Sequence, residues 1–151
     1  MKLRFLCIFL STLILSFQIF ISPAISQTLT QCQKHQEVFA FNIPNYPIQH
    51  IGGAILNIKV TYRMTPEAIL ENNYPDILSI QKDIDQFFIG YANESDYWEI
   101  MNKKLVKMLL DKYPQMSSLR VKIDVMPTVE EPLYRSSIVS STRPESCDLR
   151  L

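Results

Sequence analysis

Residues 95–127 read SDYWEIMNKKLVKMLLDKYPQMSSLRVKIDVMP, and a helix, a stop and a strand are legible in them one after another. Trp98, Met101, Leu105, Met108 and Leu109 recur at the three- and four-residue spacing of a single helical face. Lys103, Lys104, Lys107 and Asp111 fall on the opposite, wet face. Ser95 or Asp96 supplies the N-cap, and the helix ends around Tyr113 because Pro114 cannot continue it. From Leu119 to Val125 the period shortens to two. Leu119, Val121, Ile123 and Val125 alternate with Arg120, Lys122 and Asp124 until Pro127 ends the run. A helix that hands over to a half-buried strand predicts an α+β chain.

The flanking sequence extends that frame. Upstream, Asp76 caps a helix running to about Gly90, with Ile77, Ile80, Ile84, Phe87 and Phe88 as its apolar stripe. Thr65-Pro66-Glu67 opens a short helical turn before it. Ala54–Arg63 alternates Leu56, Ile58, Val60 and Tyr62 against Asn57, Lys59, Thr61 and Arg63, the mark of an antiparallel strand with one wet face. Glu37–Ile43 is a further run of strand formers. Between these two strands, Asn42–Gly53 (NIPNYPIQHIGG) reads as a long connection, because two prolines and two glycines punctuate it. Downstream, the loop TVEEP leads to a last strand from about Tyr134 to Ser140, and the tail from Ser141 has few apolar residues. The predicted order is strand, strand, helix, helix, strand, strand: a four-stranded antiparallel sheet with two helices on one face.

The ends of the chain bear on its compartment. Lys2 and Arg4 precede the almost wholly apolar run Phe5–Ile21, and Pro23-Ala24-Ile25-Ser26 supplies small residues for cleavage before Gln27. This layout predicts a cleaved signal peptide over residues 1–26 and an exported single domain over 27–151 with polar tails, secreted or periplasmic. An uncleaved anchor is the alternative, since the run lies at the lower edge of the roughly 17–25 residues that span a bilayer. The whole chain carries 15 basic and 15 acidic residues. Loss of Lys2 and Arg4 tips the mature part slightly acidic, which gives nucleic-acid binding no electrostatic support. Cys32 and Cys147 remain after cleavage, and an even count in an exported chain reads as a disulfide.

Element order and residues together resemble the tunnelling fold (T-fold), the subunit of dihydroneopterin aldolases, pyruvoyl-tetrahydropterin synthases and urate oxidases. The likeness is to the aldolase-type subunit over residues 51–139. It rests on an early helical glutamate with apolar residues two and six positions later, the terminal Tyr-Pro, the alternating run into a proline, and Ile51-Gly52-Gly53 leading into the Ala54 strand. The resemblance implies a homo-oligomer, in which sheets join edge to edge around a tunnel and planar pterins or purines bind where subunits meet. It also implies that Glu99 grips such a heterocycle, its carboxylate accepting two parallel N–H bonds. A plain first-turn acid at a helix N-terminus is the competing explanation of Glu99.

The same resemblance places the catalytic lysine of the aldolases at Val125 or Met126, and neither side chain carries a proton. Their loop glutamate matches Tyr46–His50 (YPIQH), which holds no carboxylate. The zinc of the synthases takes three histidines, where this sequence has only His35 and His50. The expectation is therefore a binding or structural module without aldolase activity and without a cofactor. The alternative is a divergent pterin- or purine-processing enzyme using other groups, such as His50. In the family's strand order Cys32 and Cys147 flank opposite edges of the sheet, so their disulfide would link neighbouring subunits or close within one chain. Remaining features have plainer readings: His50 as a surface residue, Trp98 as core, Ser136-Ser137 and Ser140-Ser141 as strand and tail residues. Stacking on a flat ring by Tyr97 and Trp98, beside Glu99, is the alternative to Trp98 as core, and Asn93-Glu94-Ser95 is a glycosylation sequon in hosts that use one.

Overall fold

The computed structural model describes residues 37–91, 95–144 and 146–149. The signal segment 1–26, Cys32, His35 and the Asn93-Glu94 part of the sequon lie outside them. Seven elements follow in order: β1 (Val38–Ile48), β2 (Ala54–Met64), α1 (Pro66–Leu70), α2 (Ile77–Gly90), α3 (Trp98–Lys112), β3 (Met116–Val125) and β4 (Arg135–Thr142). The strands form one antiparallel sheet in the order β1-β2-β3-β4. The fold is α+β, with helices packed on the sheet.

Local chemistry sets the helix boundaries. Thr65 accepts from the Ala68 amide and Pro66 opens α1, the helical turn expected there. Asp76 accepts from the amides of Leu78 and Ser79 at the start of α2. Its stripe docks as the period requires: Ile80 and Ile84 are fully buried and Phe88 nearly so, while Ile77 at the first turn stays 43 % exposed. The N-cap of α3 differs from the expected Ser95 or Asp96. Tyr97 occupies it without a side-chain hydrogen bond, because the Asp96 carboxylate is held by Tyr91 and Lys104 instead. At the other end Arg143 donates to the carbonyls of Leu110, Tyr113 and Met116, so a cation meets the negative end of α3.

The two helices are also clasped to each other. Asp83 of α2 accepts from Lys112 Nζ at 2.6 Å and from the Tyr113 hydroxyl at 2.5 Å. Burial alone would raise the Asp83 carboxyl, but these two hydrogen bonds outweigh it and hold the group below the ordinary carboxylate range. Burial and the neighbouring Asp83 carboxylate push the Tyr113 phenol up.

On the sheet, Leu56, Ile58, Val60 and Tyr62 of β2 and Leu119, Val121, Ile123 and Val125 of β3 form the core floor, each 2 % exposed or less. The expected alternation holds on that face. The opposite face is less wet than the pattern implies, since Thr61 and Arg63 are buried. Tail residue Leu149 is buried too, its carbonyl 3.5 Å from the Arg120 guanidinium, so the C-terminal segment returns to the sheet.

The expected long connection at residues 42–53 is a correction. β1 continues through Pro44 and Pro47 to Ile48, and only residues 49–53 are loop. A bulge makes this possible: Ile43 pairs with Ile58 and Tyr46 with Leu56, so Pro44 and Asn45 oppose the single residue Asn57. Asn45 takes φ of 52° and its amide donates to Asn57 Oδ1 at 3.0 Å. Because β1 is an outer strand, the donor that proline lacks is missing only from the open edge. Prolines that signal a break in a central strand are tolerated here.

Candidate functional site

The turn after β1 is short and strained. Gly53 donates to the His50 carbonyl at 3.1 Å, and Ile51, Gly52 and Gly53 all take positive φ, at 49°, 79° and 95°. Glycine adopts that region freely, whereas a β-branched residue such as Ile51 does so at a cost of order 1–3 kcal/mol. The turn drives His50 inward, so the expected surface histidine is in fact only 3 % exposed. Its Nε2 lies 2.9 Å from the Asp96 carbonyl, and its ring packs edge-on against Trp98 at 4.9 Å and Tyr91 at 5.7 Å. Trp98 is buried, as expected, and Tyr97 is 73 % exposed.

Around this pair runs a charged strap. The Asp96 carboxylate accepts from Lys104 Nζ at 2.7 Å and from the Tyr91 hydroxyl, and these bonds hold it below the ordinary carboxylate range. Lys104 is raised by the same partner and lies 5.2 Å from the Tyr91 ring centre. Burial and the hydrogen bond to Asp96 push the Tyr91 phenol up.

Two clefts flank the His50–Trp98 contact. One, of 210 Å³, is lined by the Ile51–Ala54 turn, Trp98, Val125 at the end of β3, Met126, Glu130 and Glu131 of the following loop, and Arg135 at the start of β4. The other, of 330 Å³, lies between the end of β1, His50 and the last turn of α2. The first brings together three places that the sequence singles out separately: the glycine turn, the Val125–Met126 position and the start of α3. Glu99 stands in the first turn of α3, next to Trp98, and is exposed; it is not among the residues lining the cleft. The Val125 and Met126 side chains are apolar. Val125 is core, and Met126 Sδ accepts from Asn57 Nδ2 at 3.3 Å.

Sequence reasoning overlooked the loop after β3. Glu131 is paired with Arg135, and Glu130 is exposed at the cleft. A pair of acids followed by an arginine at the mouth of the predicted glycine turn was the available signal. Also missed was Asn102, which falls on the apolar face of α3 between Trp98 and Leu105. It is completely buried, its Nδ2 donating to Val121 O at 3.1 Å, Ser137 O at 3.3 Å and Ser137 Oγ at 3.1 Å.

Two further observations bound the chemistry. Among the described residues no group of three or more His, Cys, Asp or Glu side chains converges to hold a metal ion, and no helix is long and apolar enough to cross a membrane. Cys147 is described and has a partner, while Cys32 lies outside the described residues. Comparison with protein-family models and with curated proteins finds no match to this chain.

Proposed function

We propose that the chain is an exported T-fold-like subunit that binds a flat pterin- or purine-like heterocycle beside Glu99, as a binding module and not as an aldolase. The observation that supports this most is the convergence of the glycine turn, the end of β3 and the start of α3 on one cleft, with Glu99 on the helical turn that follows Trp98. A carboxylate at a helix N-terminus is well placed to accept two parallel N–H bonds from an amino-pyrimidinone edge. The apolar pair Val125 and Met126, where the aldolases keep a lysine, gives proton transfer no carrier at that place.

Assembly belongs to the same reading. Among the described residues both outer strands, β1 and β4, have a strand neighbour on one side only, and joining the edges of neighbouring subunits satisfies them while bringing a second chain to the cleft. A Cys32–Cys147 disulfide ties the segment ahead of β1 to the tail behind β4, closing within one chain or between neighbours.

Thermal-shift titration of pterins and purines against the native protein and Glu99→Ala tests the ligand reading. A ligand at a hundredfold its dissociation constant stabilises by about 2.7 kcal/mol, which for a domain of this size is a shift of roughly 10 °C. The expected result is a shift in the native protein that Glu99→Ala abolishes. Equal shifts in both proteins, or none with any heterocycle, would refute it.

A further inference from the structure

The larger cleft, of 330 Å³, has no part in the heterocycle reading, and its chemistry differs. Its walls are the rings of Tyr46, Phe88 and Tyr91 together with aliphatic Ile89. Tyr46 and Phe88 pack at 5.3 Å with their planes tilted by 41°, leaving ring faces and edges to meet a third ring. The Tyr91 hydroxyl donates to Asp96 and that of Tyr46 is hydrogen-bonded to Asp85, and neither carboxylate is among the residues lining the cleft.

Two polar side chains remain in the lining, Gln49 and His50, and the tautomer of His50 follows from its partner. The Asp96 carbonyl oxygen only accepts, so Nε2, 2.9 Å away, carries the hydrogen. In the neutral ring Nδ1 is then an acceptor. That nitrogen is buried and has no hydrogen-bond partner among the described residues, although His50 lines the cleft. A buried acceptor left without a donor is a standing destabilisation that a bound donor removes.

We infer that this cleft is a second small-molecule site, for an uncharged aromatic ring of the indole or phenol type whose single N–H or O–H donates to His50 Nδ1. The ring fills the space between Tyr46, Phe88 and Tyr91, and Ile89, 83 % exposed, stands at the mouth. The volume falls at the lower end of the range that holds small ligands. Neither Glu99 nor the smaller cleft is needed.

Indole and benzofuran separate the contributions, because the two are nearly the same shape and only indole carries a donor. Full-length protein labelled with ¹⁵N is titrated with each at neutral pH, following the imidazole nitrogens. Indole is expected to move the His50 Nδ1 resonance and to bind about tenfold more tightly than benzofuran, the equivalent of one net hydrogen bond. Ile89→Trp, at an exposed position that leaves the fold intact, is expected to weaken both by crowding the mouth. Equal affinities for the two probes, an unmoved Nδ1 resonance, or indifference to Ile89→Trp would each overturn the inference. Heterocycle binding at Glu99 is read on different resonances, so either site can fail without the other.

Discussion

Asn102 is the side chain whose removal tests the architecture most directly, because it ties α3 to two strands at once. Asn102→Ala deletes an amide donor that reaches Val121 O, Ser137 O and Ser137 Oγ inside the core. Each net hydrogen bond is worth about 1 kcal/mol, and the two contacts at 3.1 Å are the better ones. The vacated amide leaves a small void costing roughly 1 kcal/mol more. Against this, alanine is the better helix former by about 0.5 kcal/mol, and Asn102 Oδ1, buried without a hydrogen-bond partner among the described residues, ceases to be a burden. The balance is a loss of about 2 kcal/mol, or a midpoint lowered by roughly 8 °C. Urea unfolding followed by circular dichroism measures it. A double-mutant cycle with Ser137→Ala is expected to show coupling of about 0.5–1 kcal/mol, since the two side chains share a bond. A loss below about 0.5 kcal/mol, or additivity of the two substitutions, would show that the helix is seated by apolar packing alone.

The α2–α3 clasp predicts a pH dependence. The Asp83 carboxyl is held below its unfolded value of about 3.9. Its contribution is therefore complete above the unfolded value and is lost as pH falls through the lower, folded one. Asp83→Asn should cost about 1–3 kcal/mol at pH 7, with native and variant stabilities converging as acid titrates the folded carboxyl; a constant difference down to the acid limit would refute the linkage. For the cysteines, alkylation of the unfolded native protein should label Cys32 and Cys147 only after reduction. Labelling of both without reductant would rule out their disulfide, and a non-reducing gel distinguishes closure within a chain from a link between chains.

How much of this was legible in the sequence depended on whether the cause was local. Asp76, Thr65 and Pro66 act on residues within one helical turn, so α1 and α2 begin where composition places them. The strands β2 and β3 were legible because Leu56–Tyr62 and Leu119–Val125 each alternate against one buried floor. The start of α3 was misplaced because Asp96, a good cap in isolation, is captured by Lys104 eight residues ahead and by Tyr91 behind. His50 was read as a surface residue for a similar reason: a proline-rich loop hides a turn that packs it on Trp98, 48 positions away in the numbering of the chain and 4.9 Å away in space. The cleft is likewise non-local. Its turn, helix start and strand end could be singled out one by one, but their meeting, and the part taken by Glu130, Glu131 and Arg135, arises only when β2 pairs with β3.

The bulge at Pro44 and Asn45 limits what can grow onto the molecule. An incoming strand finds regular hydrogen-bonding groups along β1 only from Val38 to Ile43. Past that point two prolines withhold donors and the kink turns the backbone out of register. Any recruit is thus confined to a short docking stretch at one end, and open-ended, fibre-like stacking along this margin is discouraged by the chain's own covalent structure.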